Sequence, residues 1–123
     1  CRPANQFEPD LEELAGLITR RTRAIVVVNP NNPTGAVYSR RTLEGIARLA
    51  EKHRLVVLSD EIYDQMTYDG AEFVPMATLV RDTLCCTLSG LSKVYRACGY
   101  RVGWAVFTGE REGAADARGA RRR

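Results

Sequence analysis

Three residues in this chain combine side-chain type and position in a way that suits one chemistry: Asp60, Lys93 and Arg101. Asp60 follows the apolar run Leu55 to Leu58 in LVVLSDEIYD, Lys93 follows Leu84 to Leu88 in LCCTLSGLSK, and Arg101 opens the run in GYRVGWAVF. Each therefore lies at an expected strand end, and the three gather along one sheet edge. A carboxylate can hold a proton on a pyridine nitrogen, an amine can form an imine with an aldehyde, and a guanidinium can grip a phosphate through paired hydrogen bonds. Pyridoxal phosphate carries all three of those groups, and it is the cofactor these residues suggest.

Taken singly, each residue has a plainer use. Asp60 also suits a cap for a helix beginning at Glu61, a metal ligand or an acid–base group. A metal is poorly served, because the single histidine, His53, falls in the expected last turn of a helix and no second carboxylate cluster has ligand spacing. Tyr63 reaches the side of Asp60 if one helical turn follows the strand, and otherwise serves as core. An isolated lysine or arginine is ordinarily a solvated charge, but Lys93 follows small residues after a buried strand, where its amine can approach a ligand. The segment NPNNPTG, residues 29–35, is a turn signal. In it Pro33 and Gly35 fix a loop from which Asn32 can present its amide.

These positions depend on an expected order of elements. Asp10, with Glu13 three residues on, resembles a helix cap, and Leu11, Leu14, Leu17 and Ile18 share one helical face. Ala24 to Val28 reads as a strand that stops at the turn. Ser39 caps a second helix whose Leu43, Ile46, Ala47 and Ala50 repeat at i, i+3, i+4 and i+7. Strands at Leu55 to Leu58, Leu84 to Leu88 and Val102 to Phe107 follow, with an irregular or helical stretch from Ile62 to Val80 and a loop carrying Lys93. Strands without polar interruption are expected to be buried on both faces, as in a mainly parallel sheet covered by helices. The fold class is α/β, and no internal repeat is visible.

The 123 residues suit one domain, and 45% hydrophobic with 27% charged residues is the composition of a soluble globular protein. No apolar stretch reaches the roughly 20 residues of a membrane span, and no signal peptide is visible. The start at Cys1 and the final GAADARGARRR both read as cuts. Much of the net charge of +3 comes from Arg118, Arg121, Arg122 and Arg123, in a run expected to be a solvated, disordered tail rather than a nucleic-acid contact. Cys1, Cys85, Cys86 and Cys98 lack the spacing of a disulfide framework or zinc site, which fits a reducing cytoplasm. Neither GxGxxG nor GxxxxGK[ST] is present, and Ser89 to Lys93 is spaced by four rather than the three of an SxxK hydrolase. With one histidine a Ser/His/Asp triad is unsupported.

Together the blocks NPNNPTGAVYS, SDEIYD and SGLSKVYRACGYRVGW resemble the signatures of class I aminotransferases of fold type I, most closely the alanine aminotransferase branch. The likeness runs over residues 8 to 109 with block order and spacing kept. It implies that residues 1–109 form part of the large cofactor-binding domain and that 110–123 are a divergent tail. It implies that Lys93 carries pyridoxal phosphate as an imine, Asp60 pairs with the pyridine nitrogen, Arg101 binds the 5′-phosphate, and Asn32 and Tyr63 bond the phenolic oxygen. Where many relatives place a phosphate-binding serine three residues before the lysine, this chain has Gly90, leaving Ser89 and Ser92 as substitutes.

The implied activity is transfer of an amino group between an L-amino acid, alanine foremost, and a 2-oxo acid such as 2-oxoglutarate, in a homodimer. The family's Gly-rich phosphate loop and its carboxylate-gripping arginine have no counterpart in this chain, so activity is expected only from the intact parent. Two other readings share the motifs: a C–S lyase using the same Asp60, Lys93 and Arg101, and a non-catalytic cofactor-binding sensor domain. A third is an inert product with open sheet edges.

Overall fold

In the computed structural model residues 1–109 are described. The elements are α1 (Leu11–Leu17), β1 (Ala24–Val28), α2 (Arg40–Lys52), β2 (Val56–Asp60), β3 (Cys85–Gly90) and β4 (Gly103–Thr108), with single 3₁₀ turns at Pro3–Asn5, Met76–Thr78 and Cys98–Tyr100. The helix starts follow from their caps. The Asp10 carboxylate accepts from the Glu12 and Glu13 amides at 2.9 and 3.0 Å, and the Ser39 hydroxyl accepts from the Thr42 amide at 3.3 Å. Glu8 reinforces the second cap, taking hydrogen bonds from the Ser39 amide and hydroxyl and from the Thr42 hydroxyl.

The strands lie in the order β1-β2-β3-β4. The first three are parallel, in the registers Val28↔Asp60 and Asp60↔Leu88, and β4 runs antiparallel to β3 with Gly90 opposite Gly103. Ile25, Val27, Val57 and Cys85 point to one face, where they meet Leu43, Ile46, Ala47 and Ala50 of α2 and Val74, Met76 and Val80 from the β2–β3 connection. Leu43 and Ala50 are fully buried, and each large side chain so placed contributes roughly 1.5–3 kcal/mol of transfer free energy. Leu11, Leu14 and Ile18 join this core. Gly45 lets α1 pack closely on α2, since a Cβ there would push the Leu11 side chain aside.

Three expectations change. Leu17, assigned to the apolar face of α1, is 70% exposed, because the seven-residue helix ends before that side chain can turn inward. The later strands each begin and end one or two residues beyond their apolar runs, since Ser59, Asp60, Ser89 and Gly90 complete ladders that apolarity alone does not mark. Burial on both sheet faces is not found among the described residues: Val26 and Phe107 are each 66% exposed. Both parallel connections step the same way across the sheet, and crossovers of one hand then stack on one side. The α2 side is covered, and the face of Val26, Leu58 and Leu88 is not.

Candidate active site

The site forms where the strands end. β1 gives way to Asn29 and the 30–35 loop, β2 ends at Asp60, β3 leads into the turn carrying Lys93, and β4 starts just after Arg101. Because β4 is antiparallel, its beginning lies beside the end of β3, so Arg101 shares an edge with Asp60 and Lys93. A parallel fourth strand would have put Arg101 at the far end.

The three asparagines of the first loop divide its work. Asn29 is 1% exposed and its side-chain oxygen accepts from the Tyr38 amide at 2.8 Å. Asn31 closes the loop through its oxygen, which accepts from the Thr34 hydroxyl at 2.8 Å, and its nitrogen, which donates to the Tyr38 hydroxyl at 3.3 Å. Asn32 is thereby left exposed, and its Nδ2 donates to the Tyr63 hydroxyl at 3.5 Å. Above the Tyr63 ring, Lys93 Nζ lies 5.8 Å from the ring centroid, within cation–π range.

Asp60 ends β2 on the uncovered face, and one carboxylate oxygen accepts from the Ile62 amide at 3.1 Å, turning the chain so that Tyr63 follows. Arg101 is exposed and left-handed, at φ 53, with Nη1 donating to the Cys98 carbonyl at 3.2 Å. Asn32 and Lys93 are thus each in reach of Tyr63. Asp60 and Arg101 flank them on the same edge without a direct bond to them among the described residues. Two clefts of about 250 Å³ adjoin through Met66 and Tyr68, one against Asn32 and Tyr63 and the other against Lys93 and Arg96.

The serines differ in direction. Ser89 pairs with Trp104 on the α2 side, whereas Ser92 lies in the turn next to Lys93. Gly90 is tightly placed, since a Cβ there would meet the Val102 carbonyl oxygen at 2.8 Å. Gly90→Ser is expected to destabilise the protein by about 1–3 kcal/mol, the usual cost of overpacking, read from denaturant unfolding. An unchanged midpoint would mean that β3 and β4 part freely at this point.

Sequence reasoning passed over Glu61. Its side chain is 5% exposed, on the α2 side, and Oε1 accepts from the Ser59 hydroxyl and the Met76 amide, both at 2.9 Å. It pins the irregular β2–β3 connection under the strand that ends in Asp60. The strand alternation that turns Ser59 inward and Asp60 outward also turns Glu61 inward, which was the available signal. Burial is the main reason its carboxyl titrates above the ordinary range, despite the two hydrogen bonds. A raised folded-state value means that this stability is present at low pH and lost as pH rises through that value. Glu61→Gln keeps the acceptor oxygen without the charge. Its thermal midpoint is expected to exceed that of the parent at pH 8, with the gap closing near about pH 4; a gap independent of pH would contradict the charge argument.

Comparison with known proteins shows which family the chain resembles. The sequence pattern of the family described as aminotransferase class I and II matches residues 1–117. The chain belongs to that family. It is 50% identical over 112 residues to an alanine aminotransferase of Mycobacterium bovis, covering 91% of this chain and 26% of that protein. It is 47% identical over 112 residues to the glutamate-pyruvate aminotransferase AlaA of Escherichia coli K12, covering 91% of this chain and 28% of the relative. The crystal structure of an Escherichia coli aminotransferase superposes with a TM-score of 0.89 at 47% identity, over 93% of this chain and 28% of that one. The α/β sheet of this family member is therefore that of its aminotransferase relatives, and the chain spans about a quarter of their length. Residues 110–123 lie outside the described residues. Among the described residues no helix is long and apolar enough to cross a membrane.

Proposed function

We propose that the full-length polypeptide containing this chain moves an amino group between L-alanine and a 2-oxo acid such as 2-oxoglutarate, with pyridoxal phosphate as cofactor. The supporting observation is the stack of Lys93 over Tyr63, with Asn32 at the tyrosine hydroxyl, on the edge that also holds Asp60 and Arg101. The relatives named for alanine and glutamate-pyruvate transfer support the choice of substrates.

The donor set fits the cofactor. Asp60 would supply an anion for the ring nitrogen, Asn32 and Tyr63 donors for the phenolic oxygen, and Arg101 with Ser92 donors for the phosphate; Ser92 is favoured over Ser89 by its place in the turn beside Lys93. Pyridoxal phosphate, when bound, supplies an aromatic sink for the electrons left as the substrate Cα proton departs. Lys93 Nζ would hold its aldehyde end and, when free, would be the amine placed to take the substrate Cα proton and pass it on. The Asp60 carboxylate would favour a proton on the ring nitrogen. Residues 1–109 act as part of the large cofactor-binding domain of a cytoplasmic homodimer, the compartment resting on cysteine spacing and the dimer on the family likeness.

The test uses the full-length polypeptide with alanine and 2-oxoglutarate, and reads pyruvate and glutamate. Pyruvate with an equal yield of glutamate is expected. Sulfide release from a cysteine conjugate without amino transfer would favour a lyase. Cofactor binding with no turnover of any amino acid would favour a sensor.

A further inference from the structure

The opposite end of the sheet carries cations that the site chemistry does not use. Segments 19–23 and 52–54 contain Arg20, Arg21, Arg23, Lys52, His53 and Arg54 with no carboxylate in either. The parallel pairing brings them side by side: Ala24 is in register with Val56, and the Val56 amide donates to the Arg23 carbonyl at 3.1 Å. Between the segments lies a cleft of about 460 Å³, lined by Ile18, Thr19, Arg20, Arg23, His53 and Leu55 among others. It lies one strand length, roughly 16 Å, from the Asp60 edge.

The cleft has ordered polar walls. Arg23 Nη1 donates to the carbonyls of Arg20 at 2.7 Å and Thr22 at 3.3 Å, which fixes the guanidinium plane. Its Nε and Nη2 engage no acceptor among the described residues, and neither do the Arg20 and His53 side chains. By contrast Arg2, Arg40 and Arg48 pair with Glu13, Glu72 and Glu44. The connecting turn is held by the Thr19 amide on the Thr22 hydroxyl at 3.0 Å and the Arg21 amide on the Thr19 hydroxyl at 3.2 Å. Ile18 and buried Leu55 give the cleft an apolar wall.

A concave volume of this size takes a small ligand rather than a length of polyanion. A guanidinium held in place with spare N–H groups, a second guanidinium and an imidazole match the oxygens of a phosphate, while the apolar wall matches a ring or carbon body. We propose that this cleft is a second anion site, for a small phosphate-bearing molecule, independent of the site that holds Lys93.

Isothermal titration of the full-length polypeptide tests this with inorganic pyrophosphate and adenosine monophosphate as probes, each run with and without saturating pyridoxal phosphate. Saturable binding of at least one probe is expected, with an affinity that pyridoxal phosphate does not change and that falls as salt rises. Arg20→Gln with Arg23→Gln should weaken it about tenfold to a hundredfold, the effect of losing a charge-assisted hydrogen bond. Arg20→Lys with Arg23→Lys should retain part of the affinity, and an unchanged thermal midpoint in both variants excludes unfolding as the cause. Absence of saturable binding at millimolar probe, competition by pyridoxal phosphate, or equal affinity in the double glutamine variant each overturns the site. The double variant decides this even where pyridoxal phosphate itself fails to bind, so the two proposals fall separately.

Discussion

Replacing Asp60 by alanine in the full-length polypeptide is expected to cut amino transfer roughly a thousandfold while leaving Lys93 open to labelling by pyridoxal phosphate and borohydride. The two readouts separate because the residues have separate tasks. Lys93 Nζ needs only an aldehyde within reach, and its place over the Tyr63 ring does not depend on a bond to Asp60. The Asp60 carboxylate is fixed at the end of β2 by the Ile62 amide, and in the proposed function it would supply the negative charge that favours a proton on the ring nitrogen. The bare Coulomb attraction between two unit charges about 4 Å apart near a protein surface is about 4 kcal/mol, which as an upper figure corresponds to roughly a thousandfold in rate. Steady-state turnover with alanine measures the loss, and mass spectrometry of the reduced protein measures the label. Turnover within about threefold of the parent would remove Asp60 from the chemistry.

Lys93→Ala is expected to lose both readouts. A positioned acid–base group alone accounts for about 10²- to 10⁴-fold in rate, and this side chain is also the proposed covalent anchor. Turnover should therefore fall by at least about 10⁴-fold, with no peptide retaining the label after reduction. Lys93→Arg separates charge from chemistry: it keeps a cation over Tyr63 but offers no amine that can condense with an aldehyde, so it should be as inactive as the alanine variant. Label found at Lys52 instead would overturn the assignment of the site.

Much of the fold is legible in the sequence, because its elements begin and end at punctuation marks in the pattern, and the candidate site residues lie beside those marks. β1 was readable to the residue, since Ala24 leads into the β-branched run Ile25 to Val28 and NPNNPTG stops it abruptly. Both α-helices announced themselves through Asp10 and Ser39 at their caps. The direction of β4 was not stated by its composition, as GWAVFT pairs equally well either way. The connection from Gly90 to Gly103 is long enough for a crossover, and only the structure shows that it holds a single 3₁₀ turn in place of the helix a parallel return usually uses. That direction is what carries Arg101 to the edge of Lys93.

The division of labour among Asn29, Asn31 and Asn32 was equally hidden. The residue type is the same three times over, and only the closed loop shows which amide faces Tyr63. Glu61 was overlooked because a buried carboxylate goes against average burial, and its stabilising partners, Ser59 and the Met76 amide, are invisible in a linear chain.

The one-sided packing of the sheet sorts the tolerance of its positions to substitution. On the α2 side a change at Val57 or Ile46 meets a filled interior and is felt within this segment. A change at Val26 or Phe107, each 66% exposed, disturbs little of that interior. Two neighbouring residues of β1, Val26 and Val27, chemically identical, thus differ in what a substitution costs, by the alternation of the strand alone.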